Sequence, residues 1–163
     1  NSGTATGFGD NNTPAWSVRL NATQNISNQT YTKVNFDTEI VDTDNAYDNS
    51  SNYRWTCPSG EAGKYLITTS IHFQSGGNAG WEYGWIQLRK NGTAIGQSIV
   101  DERNSNGRQF GITYTIVNDV AVSDYYEIWG YISNTTGTPA FGGGSSGEDT
   151  FKSTFAGYKL IGV

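Results

Sequence analysis

The sequence predicts an all-β protein, a sandwich or jelly roll built as one domain. Three observations carry that prediction. Short apolar segments alternate residue by residue between turn signals, and no helical period of useful length appears. Gly accounts for 21 of the 163 residues, and Asn, Ser and Thr are frequent, as in turn-rich β proteins. Rings supply much of the burial, since 13% of residues are aromatic while only 35% are hydrophobic. A chain of this length can enclose a sizeable core.

Residues 1–14 are rich in Gly, Asn and Thr and close with Asn12-Thr13-Pro14. They read as a linker or stalk exit, cut from a longer polypeptide, with the head domain running over 15–163. The predicted strands are 15–20, 31–36, 53–57, 64–73, 81–90, 93–102, 109–117, 125–133 and 150–161. Between two of them, Lys90-Asn91-Gly92-Thr93 carries the Asn-Gly pair that suits a hairpin turn with two positive φ angles. Residues 135–149, with Gly142-Gly143-Gly144-Ser145-Ser146-Gly147, read as a long mobile loop. Many strands with long crossing loops favour a sandwich or jelly roll over a meander.

Several function classes are disfavoured. The net charge is −5 and the ten Lys and Arg are scattered, against nucleic-acid binding. No apolar run approaches the roughly 18 residues of a membrane span. Cys57 is the only cysteine, so no intrachain disulfide forms, and packing or assembly must supply stability. At a strand end, Cys57 reads as a buried apolar filler. One His and one Cys leave no credible catalytic set, so the chain is not expected to be an enzyme. Asn-x-Ser/Thr sequons at Asn11, Asn21, Asn25, Asn28, Asn49, Asn91 and Asn134 read as chance in so polar a chain, and point to a source that does not glycosylate them.

Alternation assigns faces. In 64–73, Tyr65, Ile67, Thr69, Ile71 and Phe73 form a core face, and Leu66, Thr68, Ser70 and His72 a semi-polar one. Ile86 and Leu88 take the core side of their strand, leaving Trp81, Tyr83 and Trp85 opposite. Tyr126, Ile128 and Ile132 likewise leave Tyr125, Glu127, Trp129 and Tyr131 outside.

The ordered set of segments resembles the globular head of the complement C1q/TNF family over residues 15–162. Ala15-Trp16-Ser17-Val18 is similar to the family's opening Ala-Phe-Ser-Val, followed by Val34-x-Phe36-Asp37, Tyr47-Asp48 and Tyr53-Arg54-Trp55-Thr56-Cys57-Pro58. Gly63-Lys64-Tyr65, Ile71-His72-Phe73 and the run 85–92 ending in Lys90-Asn91-Gly92 continue the match. Phe155-Ala156-Gly157-Tyr158-Lys159-Leu160 resembles the closing Phe-Ser-Gly-Tyr-Leu-Leu. Ser123 stands where the family has a turn Gly, and no collagen repeat precedes the domain.

The resemblance implies a C1q/TNF-like jelly-roll β-sandwich assembled as a homotrimer. It places Leu66, Thr68, His72 and Tyr158 at the trimer interface. It makes strands 81–90 and 125–133 neighbours in the outer sheet, so that Trp81, Tyr83, Trp85, Trp129 and Tyr131 form one patch. That patch reads as subunit packing, as a ligand surface stacking sugar rings, or as ordinary surface rings. The resemblance also makes Asp101 and Glu102 candidate calcium ligands. The family's third carboxylate is replaced by Arg108-Gln109, which favours a solvated acidic turn and no cofactor.

The functional expectation is a non-enzymatic trimeric head at the tip of a phage tail fibre or virion adhesin. It would sit on a virion surface or outside cells, recognise a host cell-surface glycan or protein, and make no membrane insertion. The alternatives are a secreted C1q/TNF-type recognition protein and a structural cap that trimerises a fibre.

Overall fold

Alternation in the sequence becomes two antiparallel sheets whose apolar faces meet. The structure, a computed structural model, describes residues 12–77, 80–104, 107–144 and 153–161, and every regular element among them is a strand. In chain order these are β1 (Ala15–Arg19), β2 (Gln24–Asn25), β3 (Thr32–Lys33), β4 (Thr38–Asp42), β5 (Tyr47–Asp48), β6 (Arg54–Thr56) and β7 (Gly63–Gln74). They continue as β8 (Trp81–Lys90), β9 (Thr93–Asp101), β10 (Gln109–Val120), β11 (Tyr125–Asn134), β12 (Ala140–Phe141) and β13 (Thr154–Lys159).

In the first sheet the long β7 has β10 along one edge, and β13 and β12 in succession along the other. From β13 the sheet continues to β1 and β4, and from β12 to β2. The second sheet runs β5-β6-β11-β8-β9, with β3 also paired to β11. The chain passes between sheets from β9 to β10 and again from β10 to β11, the crossings of a jelly roll.

Tyr65, Ile67, Thr69, Ile71 and Phe73 of β7 are buried and face Ile86, Leu88, Tyr126, Ile128 and Ile132 of the second sheet. The sheets are joined at one end by Trp16 of β1 and Trp55 of β6, whose rings stack at 4.2 Å and 11°. Cys57 is a buried free thiol, and desolvation pushes its pKa up. The Asn91-Gly92 turn takes φ of 52° and 80°, the two positive angles that a tight hairpin with right-twisted strands needs. Ser123 keeps a left-handed turn, at φ 69°, although it is not glycine.

Four departures from the sequence reading have identifiable causes. The predicted strand 31–36 shortens to β3: the Val34 N–H still reaches the Ile128 carbonyl of β11 at 2.9 Å, but the pairing stops there while Val34 and Phe36 turn into the core. The strands β2, β5 and β12 have two residues each, too few for alternation to show. The edge strand β4 does not alternate, since its adjacent Ile40 and Val41 are both exposed. Within 135–149, expected to be a mobile loop, β12 adds to the sheet, Phe141 is fully buried, and Gly142 donates its N–H to the His72 carbonyl at 2.6 Å. Gly143 passes so close to Ala22 that an added Cβ would lie 2.3 Å from its carbonyl oxygen. Residues 1–11, 145–149 and the start of the predicted last strand, 150–152, lie outside the described residues.

The fourth departure concerns Trp81, expected outside and found fully buried. Tyr83 pairs with Ser133 and Trp81 with Asn134, so Glu82 is an extra residue that shifts the register. One inserted residue reverses which face the next side chain meets. Trp81 therefore turns inward, against Phe110 at 4.3 Å and Phe73 at 6.1 Å.

Candidate functional site: the outer faces of the two sheets

The outward face of the second sheet is built by the pairing of β8 with β11. Trp85 lies opposite Tyr131, Gln87 opposite Trp129 and Arg89 opposite Glu127. On β9, Ile99 stands beside Trp85 and Gln97 beside Gln87. The Trp85 and Tyr131 rings are parallel within 2° at 4.3 Å. Parallel rings that close must overlap, so each covers one face of the other and turns its rim outward. Tyr83 stacks at 5.7 Å from Trp85 and 6.1 Å from Tyr131. Burial, and after it the neighbouring Tyr83 hydroxyl, raise the Tyr131 pKa.

Tyr31, from the segment before β3, completes the group. It leans on Trp85 at 5.8 Å and Tyr131 at 5.3 Å, and its hydroxyl accepts a 2.6 Å hydrogen bond from Trp85 Nε1. The sequence marks Tyr31 only as a strand start; its place in the patch depends on a pairing about a hundred residues away, for which no local signal exists.

Cations interleave with these rings. The Arg89 guanidinium lies 4.3 Å from the Trp129 ring and 5.7 Å from that of Tyr31. Arg54 covers Tyr125 at 4.1 Å, Lys33 approaches Trp129 at 5.6 Å, and Arg103 approaches Tyr83 at 5.2 Å. Glu127 has the outward register expected of it, yet is only 4% exposed. Lys33 of β3 folds over the sheet and pairs with its carboxylate, which a register argument on β11 alone does not reveal.

Of the five residues expected to form the patch, Tyr83, Trp85, Trp129 and Tyr131 share this face. Trp81 does not, for the reason given above.

The outward face of the first sheet differs in chemistry. Leu66, Thr68, Ser70 and His72 of β7 align with Val117, Thr115, Thr113 and Gly111 of β10. On the other side, Tyr158, Ala156 and Thr154 of β13 lie opposite Leu66, Thr68 and Ser70. Hydroxyl pairs link the strands, Thr68 to Thr115 at 2.7 Å and Thr113 to Ser70 at 3.3 Å. Val117 is 53% exposed, Val41 44% and Tyr158 37%. A shallow groove of about 290 Å³ between Leu66, Tyr158, Ala15 and Val41 is lined mainly by apolar side chains, together with Ser17 and Thr68. Charge borders the Leu66 and Thr68 rows, with the Lys64–Asp119 pair on one side and Arg19, in the row of Thr154 and Ser70, on the other. The four residues expected at a subunit interface, Leu66, Thr68, His72 and Tyr158, all lie on this face.

The Asp101 carboxylate is engaged by Arg103 through Nε at 2.9 Å and Nη2 at 2.5 Å, which holds its pKa down. Among the described residues no three His, Cys, Asp or Glu side chains gather as a metal-ligand group around Asp101 and Glu102 or elsewhere. No helix among them is long and apolar enough to cross a membrane.

No protein-family model and no curated protein sequence matches the chain. Solved structures do. The globular domain of zebrafish complement 1qA protein is 14% identical, with a TM-score of 0.58 over 91% of this chain and 98% of that one. The Eiger TNF of S. frugiperda is 11% identical, with a TM-score of 0.62 over 90% of this chain and 92% of that one. The chain thus has the C1q/TNF-like jelly-roll fold anticipated from its sequence.

Proposed function

We propose that this jelly roll is the recognition head of a homotrimer, acting by binding and not by catalysis, carried at the tip of a phage tail fibre or similar virion adhesin. One observation carries the assembly: around Leu66 and Thr68 the outward face of the first sheet carries no charged residue, and it leaves Leu66, Val117, Val41 and Tyr158 at the surface of a single chain. Apolar surface of that kind marks an interface. Three copies about one axis bury it by using the same face in each subunit. The second sheet then faces away from the axis, and its rings and guanidinium groups meet the host surface.

Sedimentation of the purified protein at micromolar concentration tests the assembly. A single trimeric species supports it, and a folded monomer overturns it. The fibre setting is supported by the cysteine-poor, Asn/Thr/Gly-rich composition. Tail genes flanking the reading frame agree with that setting, whereas a leader and a collagen repeat upstream point to a secreted recognition protein. No cofactor enters this reading, so thermal midpoints in chelator and in millimolar calcium should coincide. A large fall in chelator would establish Asp101 and Glu102 as ligands.

A further inference from the structure

We infer that the outward face of the second sheet binds an acidic glycan, a saccharide bearing carboxylate or sulfate groups, with one anionic group held between the Tyr31 hydroxyl and the Arg89 guanidinium. This names the ligand class of the recognition surface proposed above and rests on that reading.

Hydrogen bonding at the centre of the face leaves donors and removes acceptors. Tyr31 Oη accepts from Trp85 Nε1 at 2.6 Å and from Gln87 Nε2 at 3.4 Å. With its lone pairs engaged, the hydroxyl hydrogen remains to donate outward. Arg89 sends Nε and one Nη2 hydrogen to Gln87 Oε1, at 3.1 and 2.9 Å. Three of its five N–H groups are left, in a planar fork that suits carboxylate or sulfate oxygens. Neither Arg89 nor Arg54 forms an ion pair among the described residues. The stacked Trp85 and Tyr131 also present their rims, which carry the positive edge of the ring quadrupole.

Charge distribution selects a sparsely charged ligand. The chain is acidic, at −5, yet four of its ten cations stand over the rings of this face. Two of them, Arg54 and Arg89, have no carboxylate partner among the described residues, while Lys33 is paired with Glu127 and Arg103 with Asp101. From Tyr125 to Tyr131 the stripe follows six residues of β11, roughly 20 Å of strand. A nucleic acid places a phosphate every few ångströms and would meet the repulsion of the whole acidic chain. A saccharide with one anion every ring or two meets mainly the local guanidinium. Its C–H faces find Ile99, 56% exposed, and the Tyr31 ring, 39% exposed, next to that cation. Its hydroxyls find the exposed Gln97 beside Gln87.

The test uses the whole protein, with immobilised polygalacturonate, chondroitin sulfate (each with about one anion per ring) and neutral dextran as probes, read by biolayer interferometry. Binding to at least one anionic polymer and not to dextran is expected, weakening as salt rises. Arg89→Gln should weaken it at least tenfold and Tyr31→Phe several-fold. Because Tyr31→Phe removes one hydroxyl and leaves the ring packing in place, it remains informative if Arg89→Gln disturbs folding. Equal binding to dextran, no binding to either anionic polymer, or unchanged affinity in variants of normal thermal midpoint overturns the inference. Sedimentation of the same samples separates the two ideas. A monomer that binds the anionic polymers sinks the trimer alone, and a trimer that ignores them sinks the glycan site alone.

Discussion

The outward faces of the two sheets are made by the same two-residue alternation, yet they are prepared for opposite environments. On the first sheet, Thr68, Thr115, Thr113 and Ser70 satisfy one another across strands, and aliphatic side chains fill the end of the face around Leu66. Around Leu66 and Thr68 nothing needs water or a counter-ion, so removing that part of the face from solvent costs little. On the second sheet, guanidinium and ammonium groups lie over Tyr125, Trp129 and Tyr83, and large rings fill the gaps between them. Drying that face without an anionic partner would strand Arg54 and Arg89 as unpaired charges. The contrast teaches that an outward β face is read from the groups that remain unsatisfied, more than from its hydrophobicity.

The strongest attempt to break the comparison places the same charge on each face. Leu66→Asp should dissociate the assembly, since an unpaired carboxylate confined with two copies of itself costs several kcal/mol per subunit, on the order of the ionic desolvation penalty. Ile99→Asp, on the second sheet, should leave assembly and thermal midpoint as they are. Sedimentation velocity of the two variants decides, and a trimeric Leu66→Asp protein would erase the distinction.

Next in size is a contrast inside the second face. Glu127 is buried under Lys33, and Glu127→Ala should lower stability by about 2–3 kcal/mol, because an ammonium that is itself largely covered loses its partner. The exposed Asp101–Arg103 pair is worth little, and Asp101→Ala should leave the denaturant midpoint unmoved. Equal effects from both would show that the face is uniformly wet.

The corner where β10 gives way to β11 joins the two sheets, and Asp124 organises it. Burial works against its ionisation, but Lys90, the Ala121 N–H and the Asn91 amide, each at 2.7 Å, outweigh it and lower its pKa. A carboxyl lowered in the folded state contributes stability above its ordinary value near 3.8 and loses it as pH falls through the folded value. Melting wild type and Asp124→Asn from pH 7 downwards should show a gap that closes in acid. A gap constant with pH would mean that the charge is not what matters there.

The smallest expected effect is a gain. Ser123 is held at φ 69° beside Asp124, and a left-handed non-glycine residue costs roughly 1–2 kcal/mol, of which glycine's extra freedom when unfolded returns part. Ser123→Gly should therefore stabilise by about 0.5 kcal/mol. Any loss would show that the Ser side chain supports the corner.

What was legible in the sequence follows from these examples. Both faces of β7, the inward Ile86, Leu88, Tyr126 and Ile128, and the Asn91-Gly92 turn could be read because alternation and positive φ are local properties. Four of the five expected patch rings could be placed because each strand keeps one register over the relevant stretch. Trp81 was misread because the bulge at Glu82 is decided by pairing with Ser133 and Asn134, and an indole suits either face. Glu127 and Tyr31 depend on how the segment around β3 crosses the finished sheet. The packing of Phe141 beside Gly130, where a Cβ would lie 2.5 Å from the ring, gives a glycine-rich stretch an anchor that composition hides.

The Trp16–Trp55 stack gives the molecule an optical reporter. One indole belongs to each sheet, and at 4.2 Å and 11° their transition dipoles are close enough to couple as an exciton pair. Any twist between the two dipoles within their planes gives a circular dichroism couplet, and separating the sheets removes the coupling that produces it. Loss of that couplet, followed beside far-ultraviolet ellipticity during denaturation, would time the separation of the sheets against the melting of the strands themselves, without a label or a mutation.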